Sequence, residues 1–307
     1  VVDCSKHGSD PGKYVNESIR RGVEYMIVTS KELFKAARKH NFAFPAPNYV
    51  DQISASAHIA AAEKLGLPVI LAFAEAHQTY LPFDEAAAIG RFYAEKAKVP
   101  VVLHLDHGQT KETIFRAIDQ GFRSVMIDAS SQPFEENVRQ TREIVAYAHL
   151  RGAVVEAEIG HVGGGDEYKD AANCDNIYTT VEEAKRFADL TEVDSLAISI
   201  GTAHGAYKGT PVIDFERLAE IRNAVRTPLV LHGGSSSGDE NLRRCAEGGI
   251  SKINIYTDLI VAAFNRAKEC HANGYYDLRD AQRQGMMECL EHYYNVFGTE
   301  RYLEALK

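Results

Sequence analysis

Eight short runs of aliphatic and β-branched residues, each followed by a stretch that reads as helix, constrain this chain more than any other feature. They fall at 42–46 (FAFPA), 68–74 (PVILAFA), 99–105 (VPVVLHL), 124–128 (SVMID), 153–159 (AVVEAEI), 194–200 (DSLAISI), 227–232 (TPLVLH) and 250–255 (ISKINI). Continuous apolar runs suit parallel strands covered on both faces, where alternating ones would suit a half-exposed sheet. The segments 52–65, 84–96, 110–120, 135–150, 180–190, 214–225 and 239–247 carry helix formers, several with an apolar stripe, and plausible helix starts stand at Thr110, Thr180 and Asp239. Eight strand–helix units within roughly 220 residues predict a (β/α)8 TIM barrel. A doubly wound open sheet is the alternative, but it usually needs fewer strands and a clear switch point.

The 307 residues accommodate one such barrel as a single domain, with a core at about 40–270 and a C-terminal helical extension at about 271–307. No Pro/Gly/Ser-rich linker interrupts it, and the first 28 residues read partly as a further helix (KYVNESIRRGVEYMI). A formal charge of -9 argues against nucleic acid or an anionic membrane as partner. The longest apolar runs are about eight residues, too short to span a bilayer. Cys4, Cys174, Cys245, Cys270 and Cys289 are odd in number, widely spaced and without a CxxC pair, so reduced thiols are expected. With an opening VVDCSKHGSD that has neither the basic nor the apolar half of a signal peptide, a soluble cytoplasmic protein is expected.

In a barrel the C-terminal ends of all strands meet at one mouth. Here the third strand ends in Asp106-His107-Gly108, the fourth in Asp128, the sixth in GTAHG with His204, and the seventh in LHGGSS with His232. Three histidines on separate strand ends, each beside glycine, predict a metal site of His107, His204 and His232, with a position open for substrate. His104, two residues deeper, reads as a supporting or core residue. Asp106 could move protons beside the metal if the strand bends at Gly108, since simple alternation would point it away from His107. Glu156 and Glu158 share one strand face; Glu158 is nearer the mouth and could approach the metal, while Glu156 fits a buried polar layer. HGGSSSG (Gly233, Gly234, Ser235) and GTAHGAYKG (with Lys208) offer main-chain N–H groups, hydroxyls and a cation for a phosphate. The one lysine on an inner strand position, Lys252, opens the last strand away from the mouth, which weakens an imine mechanism. A glycine-rich and then acidic loop at 160–178 breaks the compact pattern on the functional face.

Taken together, LHLDHG, VEAEIGHVGG, AISIGTAHGAYKG, VLHGGSS and KINIYTDL resemble the class II, metal-dependent fructose-bisphosphate and tagatose-bisphosphate aldolases, in order from about residue 30 to the FGT near 299. The resemblance implies a homo-oligomeric barrel, a homodimer or homotetramer, that reversibly cleaves a ketose bisphosphate to dihydroxyacetone phosphate and an aldehyde. It implies one catalytic Zn2+ per chain on His107, His204 and His232, with Glu158 able to approach the metal, and Asp106 as the group that exchanges a proton with the C4 hydroxyl. Asn48, Gly205, Gly233, Ser235, Asn254 and Thr257 match positions that hold substrate, and Asp166 or Glu167 matches the acid that handles the ketone-side proton. The glycines of both phosphate segments resemble carbonyl donors to a monovalent cation, Na+ or K+.

The chain departs from the family pattern on the aldehyde side. Asn48 lies in FPAPNY where the family usually reads AFN, and Ala74, with Glu75 beside it, stands where a serine or threonine usually meets the far phosphate. Glu75 would repel a phosphate if it faced inward. Tyr256 replaces a usual Asp or Ala, and Ile260 replaces a usual arginine, with Arg266 a little further on. Two further readings are therefore kept: an aldolase of the same fold that releases a non-phosphorylated aldehyde, and a non-catalytic metal-binding paralogue.

Overall fold

Strands that are apolar on both faces need a cover on each, and parallel strands need a crossover between them; a helix after every strand meets both demands. The computed structural model describes residues 26–160, 178–204 and 211–307. Its strands are β1 (Phe44–Pro47), β2 (Val69–Ala74), β3 (Val101–Gly108), β4 (Ser124–Ile127), β5 (Val154–Ile159), β6 (Ser195–Ile198), β7 (Leu229–Leu231) and β8 (Ile250–Ile255). All pair in parallel in one sheet, in the order β1-β8-β7-β6-β5-β4-β3-β2. Asn48 bridges Ala72, and the Tyr49 N–H donates to the Ala72 carbonyl at 2.9 Å, bringing β1 back to β2. The fold is the (β/α)8 barrel, and the open-sheet alternative falls away.

Helices α1 (Lys31–His40), α2 (Gln52–Leu65), α3 (Phe83–Lys96), α4 (Lys111–Asp119), α5 (Phe134–His149), α6 (Val181–Thr191), α7 (Phe215–Ala224) and α8 (Asp239–Glu247) surround it. The helix starts have local causes. Asp51 accepts from the Ser54 N–H at 2.7 Å, while Thr110 and Thr180 accept from the N–H groups three residues on. Glu183 completes a reciprocal capping box with Thr180. At α8 the expectation is corrected: Gly238 is the cap and Asp239 is the first helical residue, its carboxylate accepting from His292 instead.

Three helices follow the barrel: α9 (Thr257–Glu269), α10 (Tyr275–Val296) and α11 (Arg301–Ala305). Helix α10 packs against α9 and α2, then delivers its C-terminus to the start of β1. There the Ala43 N–H donates to the Phe297 carbonyl at 3.1 Å, and the buried Thr299 hydroxyl donates back to the Ala43 carbonyl at 2.7 Å. Ile27 bridges Val101 at the same end, which leaves the opposite end of the barrel for polar side chains. Most of the helix expected in the first 28 residues lies outside the described residues, as does most of the loop at 160–178. Among the described residues no helix is long and apolar enough to cross a membrane, and Cys245, Cys270 and Cys289 are free thiols.

Candidate active site

The pleat sends alternate residues of each strand into the barrel. On β3 these are His104 and then Asp106, so His107 would ordinarily point outward. It does not, because the backbone departs from regular pleating at His107 itself. His107 takes φ +92°, and the β3–β4 register shifts between Leu105 and Gly108. A positive φ is strained for a residue with a side chain. The bend expected at Gly108 is thus one residue earlier; Gly108 is needed for space, since a Cβ there would lie 2.6 Å from the Met126 carbonyl. The outcome is that Asp106 and His107 both reach the mouth.

Asp106 is almost wholly buried. Asn48 Nδ2 donates to its Oδ2 at 2.8 Å, and Asn254 Nδ2 donates to its Oδ1 at 2.8 Å. Burial alone would raise its pKa, but the neighbouring His107 and Lys252 outweigh that and hold it well below the ordinary carboxylate value. The two asparagines, expected to hold substrate, therefore spend their amide nitrogens on Asp106. Their carbonyl oxygens are buried and make no hydrogen bond.

His107, His204 and His232 converge as the sequence predicts, each offering a ring nitrogen within 4.8 Å of the others. Two carboxylates decide which nitrogens those are. His107 Nδ1 lies 2.8 Å from Asp128 Oδ2, and His232 Nε2 lies 2.9 Å from Glu156 Oε1. Both carboxylates are shifted downward: against the opposing effect of burial, His107 holds Asp128 ionised, and Lys252 with His232 holds Glu156 ionised. An ionised carboxylate only accepts, so each imidazole presents its N–H to the carboxylate and its other nitrogen to the partner ring. Those other nitrogens, His107 Nε2 and His232 Nδ1, lie 2.7 Å apart. At that distance one ring donates an N–H to the lone pair of the other, and a metal ion bound by both nitrogens would replace that proton. Where only a proton can serve, His107 takes it up: its pKa rises to about 9, because Asp106, Asp128 and Glu158 outweigh the effect of burial. The donor set and the outward carboxylate partners fit a divalent metal ion held by nitrogen ligands. Glu158 also belongs there: its carboxylate shares a potential ligand group with His107 and Asp128 and lies 3.8 Å from His232 Nδ1.

A second carboxylate–histidine group, His104, Asp106 and Glu156, lies one layer deeper and is already filled by a cation of the chain. Lys252, fully buried, donates to Glu156 Oε1 and Oε2 at 2.7 and 2.9 Å and to His104 Nε2 at 3.1 Å. Burial and then Lys252 push His104 down to about 3, so it stays neutral and passes its own N–H to the Ser124 hydroxyl at 2.9 Å. Lys252 thus occupies the inner position, away from the mouth, that its place in the last strand predicts, and the structure adds its partner. It is the third residue of β8 and points into the barrel beneath the histidines, where Glu156 occupies its ammonium. His104 and Glu156 lie in the buried polar layer expected for them.

At the rim, Glu75 begins a 3-10 turn, Glu75–Thr79, and faces away from the site. Its carboxylate accepts from the Gln109 N–H at 2.7 Å, in the loop leading into α4, and from the Thr113 hydroxyl at 2.8 Å, in the first turn of α4. His77, in the same turn, stacks on Tyr256 with ring centroids 4.5 Å apart. Ser235 lies buried at the entrance to α9, its Oγ accepting from the N–H groups of Tyr256 and Asp258 at 3.1 and 3.4 Å, and Thr257 is the first residue of that helix. Gly233 takes φ +68°, with space for a Cβ closed by the Ala203 carbonyl at 2.3 Å; at Gly234 the nearest obstacle is Ile253 at 2.6 Å. Arg266 lies along α9, 3.6 Å from Glu288 of α10. Asp166, Glu167, Gly205 and Lys208 lie outside the described residues. The roles of Asp128 and Lys252 and the His77–Tyr256 contact escaped the sequence reading. Asp128 alone had a usable signal, a carboxylate ending the strand next to that of His107.

The family described as fructose-bisphosphate aldolase class-II matches residues 28–301 of this chain. Among solved structures, the YdjI aldolase of Escherichia coli K12 is similar at 33% identity and a TM-score of 0.81, over 89% of this chain and 98% of that one. The fructose-bisphosphate aldolase of Campylobacter jejuni is similar at 25% identity and a TM-score of 0.76, over 92% and 98%. With the barrel, the three convergent histidines and Asp106 beside them, these matches show that the chain belongs to the class II fructose-bisphosphate aldolase family.

Proposed function

We propose that this chain is a zinc-dependent aldolase that cleaves a ketose 1-phosphate between C3 and C4, giving dihydroxyacetone phosphate and an aldehyde. Fructose 1,6-bisphosphate and tagatose 1,6-bisphosphate are the substrates to test first. The observation that carries the reading is Asp106: a buried carboxylate, clamped by Asn48 and Asn254, adjoining the three-histidine cluster. Held ionised, Asp106 accepts the proton of the C4 hydroxyl as the C4 carbonyl forms. The electrons of the C3–C4 bond stay with the dihydroxyacetone phosphate half, and C3 then takes up a proton. A divalent ion held by His107, His204 and His232, with Glu158 in reach, would supply the Lewis acid that stabilises that charge. Asn48 and Asn254, which hold Asp106, remain proposed substrate-side residues. Gly205, Lys208, Gly233, Gly234, Ser235 and Thr257 remain the proposed phosphate cradle, Asp166 or Glu167 the proposed ketone-side acid, and a monovalent cation on the glycine segments a further proposal. A cytoplasmic homodimer or homotetramer completes the reading.

A second reading, release of a non-phosphorylated aldehyde, is favoured by one feature: the rim beyond β2 presents Ala74, His77 and Tyr256, with no serine or threonine at residue 74. Kinetics on zinc-loaded protein with the two bisphosphates and fructose 1-phosphate test the proposal. Chelator-sensitive cleavage is expected. Asp106→Asn is expected to lower kcat by about 10²–10⁴-fold with zinc content unchanged, whereas His232→Ala should lose the zinc. Full zinc occupancy without cleavage of any of the three sugars would overturn it.

A further inference from the structure

The rim of the mouth holds a second feature that the C3–C4 chemistry leaves unused. His77 comes from the turn after β2 and Tyr256 from the residue after β8, and these two strands flank β1 on either side. The pair therefore meets over the end of β1, where Asn48 holds Asp106. The rings lie 4.5 Å apart at 38°, and Phe73 of β2 backs His77 edge-on at 6.3 Å. Two aromatic rings, Tyr256 and Phe73, fix the imidazole in place. Yet His77 Nδ1 is buried and makes no hydrogen bond. Stacking alone would be served by phenylalanine, which leaves no polar atom unsatisfied. Asp106 and His107 both act electrostatically on the ring.

The chemistry of this wall is also informative. Ala74 adds no polar side-chain atom, and Glu75 is turned away onto the Gln109 N–H and the Thr113 hydroxyl. His77 and Tyr256 offer hydrogen bonds but no permanent positive charge, and the Asp106 carboxylate stands behind them. A phosphate against this wall would meet an anion and no fixed cation from it, while a hydroxyl could pair with the neutral imidazole or phenol.

We infer that His77, held by Tyr256, is a specificity residue of the aldehyde half: its imidazole hydrogen-bonds a hydroxyl of an uncharged polyhydroxylated aldehyde, which the wall selects over a phosphorylated one. This rests on the aldolase reading, and two experiments separate them. Exchange of solvent deuterium into dihydroxyacetone phosphate by the zinc-loaded wild type needs no aldehyde; its absence would overturn the aldolase reading and this inference with it. Given exchange, condensation rates are compared for glyceraldehyde, glyceraldehyde 3-phosphate, and the two deoxy analogues lactaldehyde and 3-hydroxypropanal. The wild type is expected to favour glyceraldehyde over its phosphate in kcat/KM, and over one deoxy analogue by about 10-fold or more. In His77→Phe, which keeps a ring on Tyr256, that deoxy ratio should collapse towards unity, with the change mainly in the KM for glyceraldehyde. His77→Asn, which restores a polar group on a short side chain, should return part of the ratio. A deoxy ratio unchanged in both variants, or a wild-type preference for glyceraldehyde 3-phosphate, would overturn the inference while leaving the aldolase reading intact.

Discussion

Lys252 shows how much one side chain can decide. Its ammonium touches both oxygens of Glu156, and Glu156 in turn orients His232 at 2.9 Å. Removing the lysine would leave a buried carboxylate without its cation, a loss of about 3–5 kcal/mol in comparable ion pairs. Lys252→Met is therefore expected to lower the denaturant midpoint markedly and to weaken zinc binding, since Glu156 would then compete for a proton. The double variant Lys252→Met/Glu156→Gln should recover much of the stability, because the orphaned charge is gone. Equal midpoints for the single and double variants would show that the ammonium is not compensating Glu156.

At the scale of elements, the helical hairpin of α9 and α10 carries an unusual surface. Its inner side is tightly packed: a Cβ on Gly285 would lie 2.6 Å from the Ala262 carbonyl, and Ala263 and Met286 meet Ala57 of α2. Its outer side exposes Val261, Phe264, Tyr275 and Tyr276, with Phe264 61% exposed and Tyr276 70%. Several large apolar side chains left exposed on one helical hairpin suit an interaction surface. The proposed homo-oligomer would use it, so sedimentation should give a dimer or tetramer, and Phe264→Lys should shift the protein towards monomer. A monomeric wild type at micromolar concentration would refute this use of the hairpin.

The whole molecule's response to pH follows from histidines that fold neutral. His58 of α2 is fully buried, with Asn48 O 3.3 Å from its Nε2, and burial lowers its pKa to about 4 despite Asp51 nearby. A histidine depressed in the folded state binds its proton more readily when unfolded. Its contribution is complete above the unfolded value of about 6.5 and is lost as pH falls towards 4, on the order of 3 kcal/mol in all. The Tm should fall between pH 7 and pH 4.5, and His58→Gln should flatten that slope. A slope identical in the variant would assign the acid sensitivity to other groups.

The eight strands, the seven helices between them and the caps at Thr110 and Thr180 were legible in the chain, because apolar runs and capping residues act within a few residues of themselves. The three histidines were legible for a related reason: every parallel strand of a barrel ends at the same mouth, so strand ends can be matched without coordinates. What the tertiary structure alone decided is how side chains meet across the barrel. Strand alternation points His107 outward, and only the bulge at its positive φ turns it in. Lys252 was legible as an inner residue below the mouth, but only closure of the barrel gave it Glu156 as a partner, and closure likewise joined His77 to Tyr256. Such contacts depend on register and on the angle at which strands close, quantities summed over the whole barrel and written in no single segment of the chain.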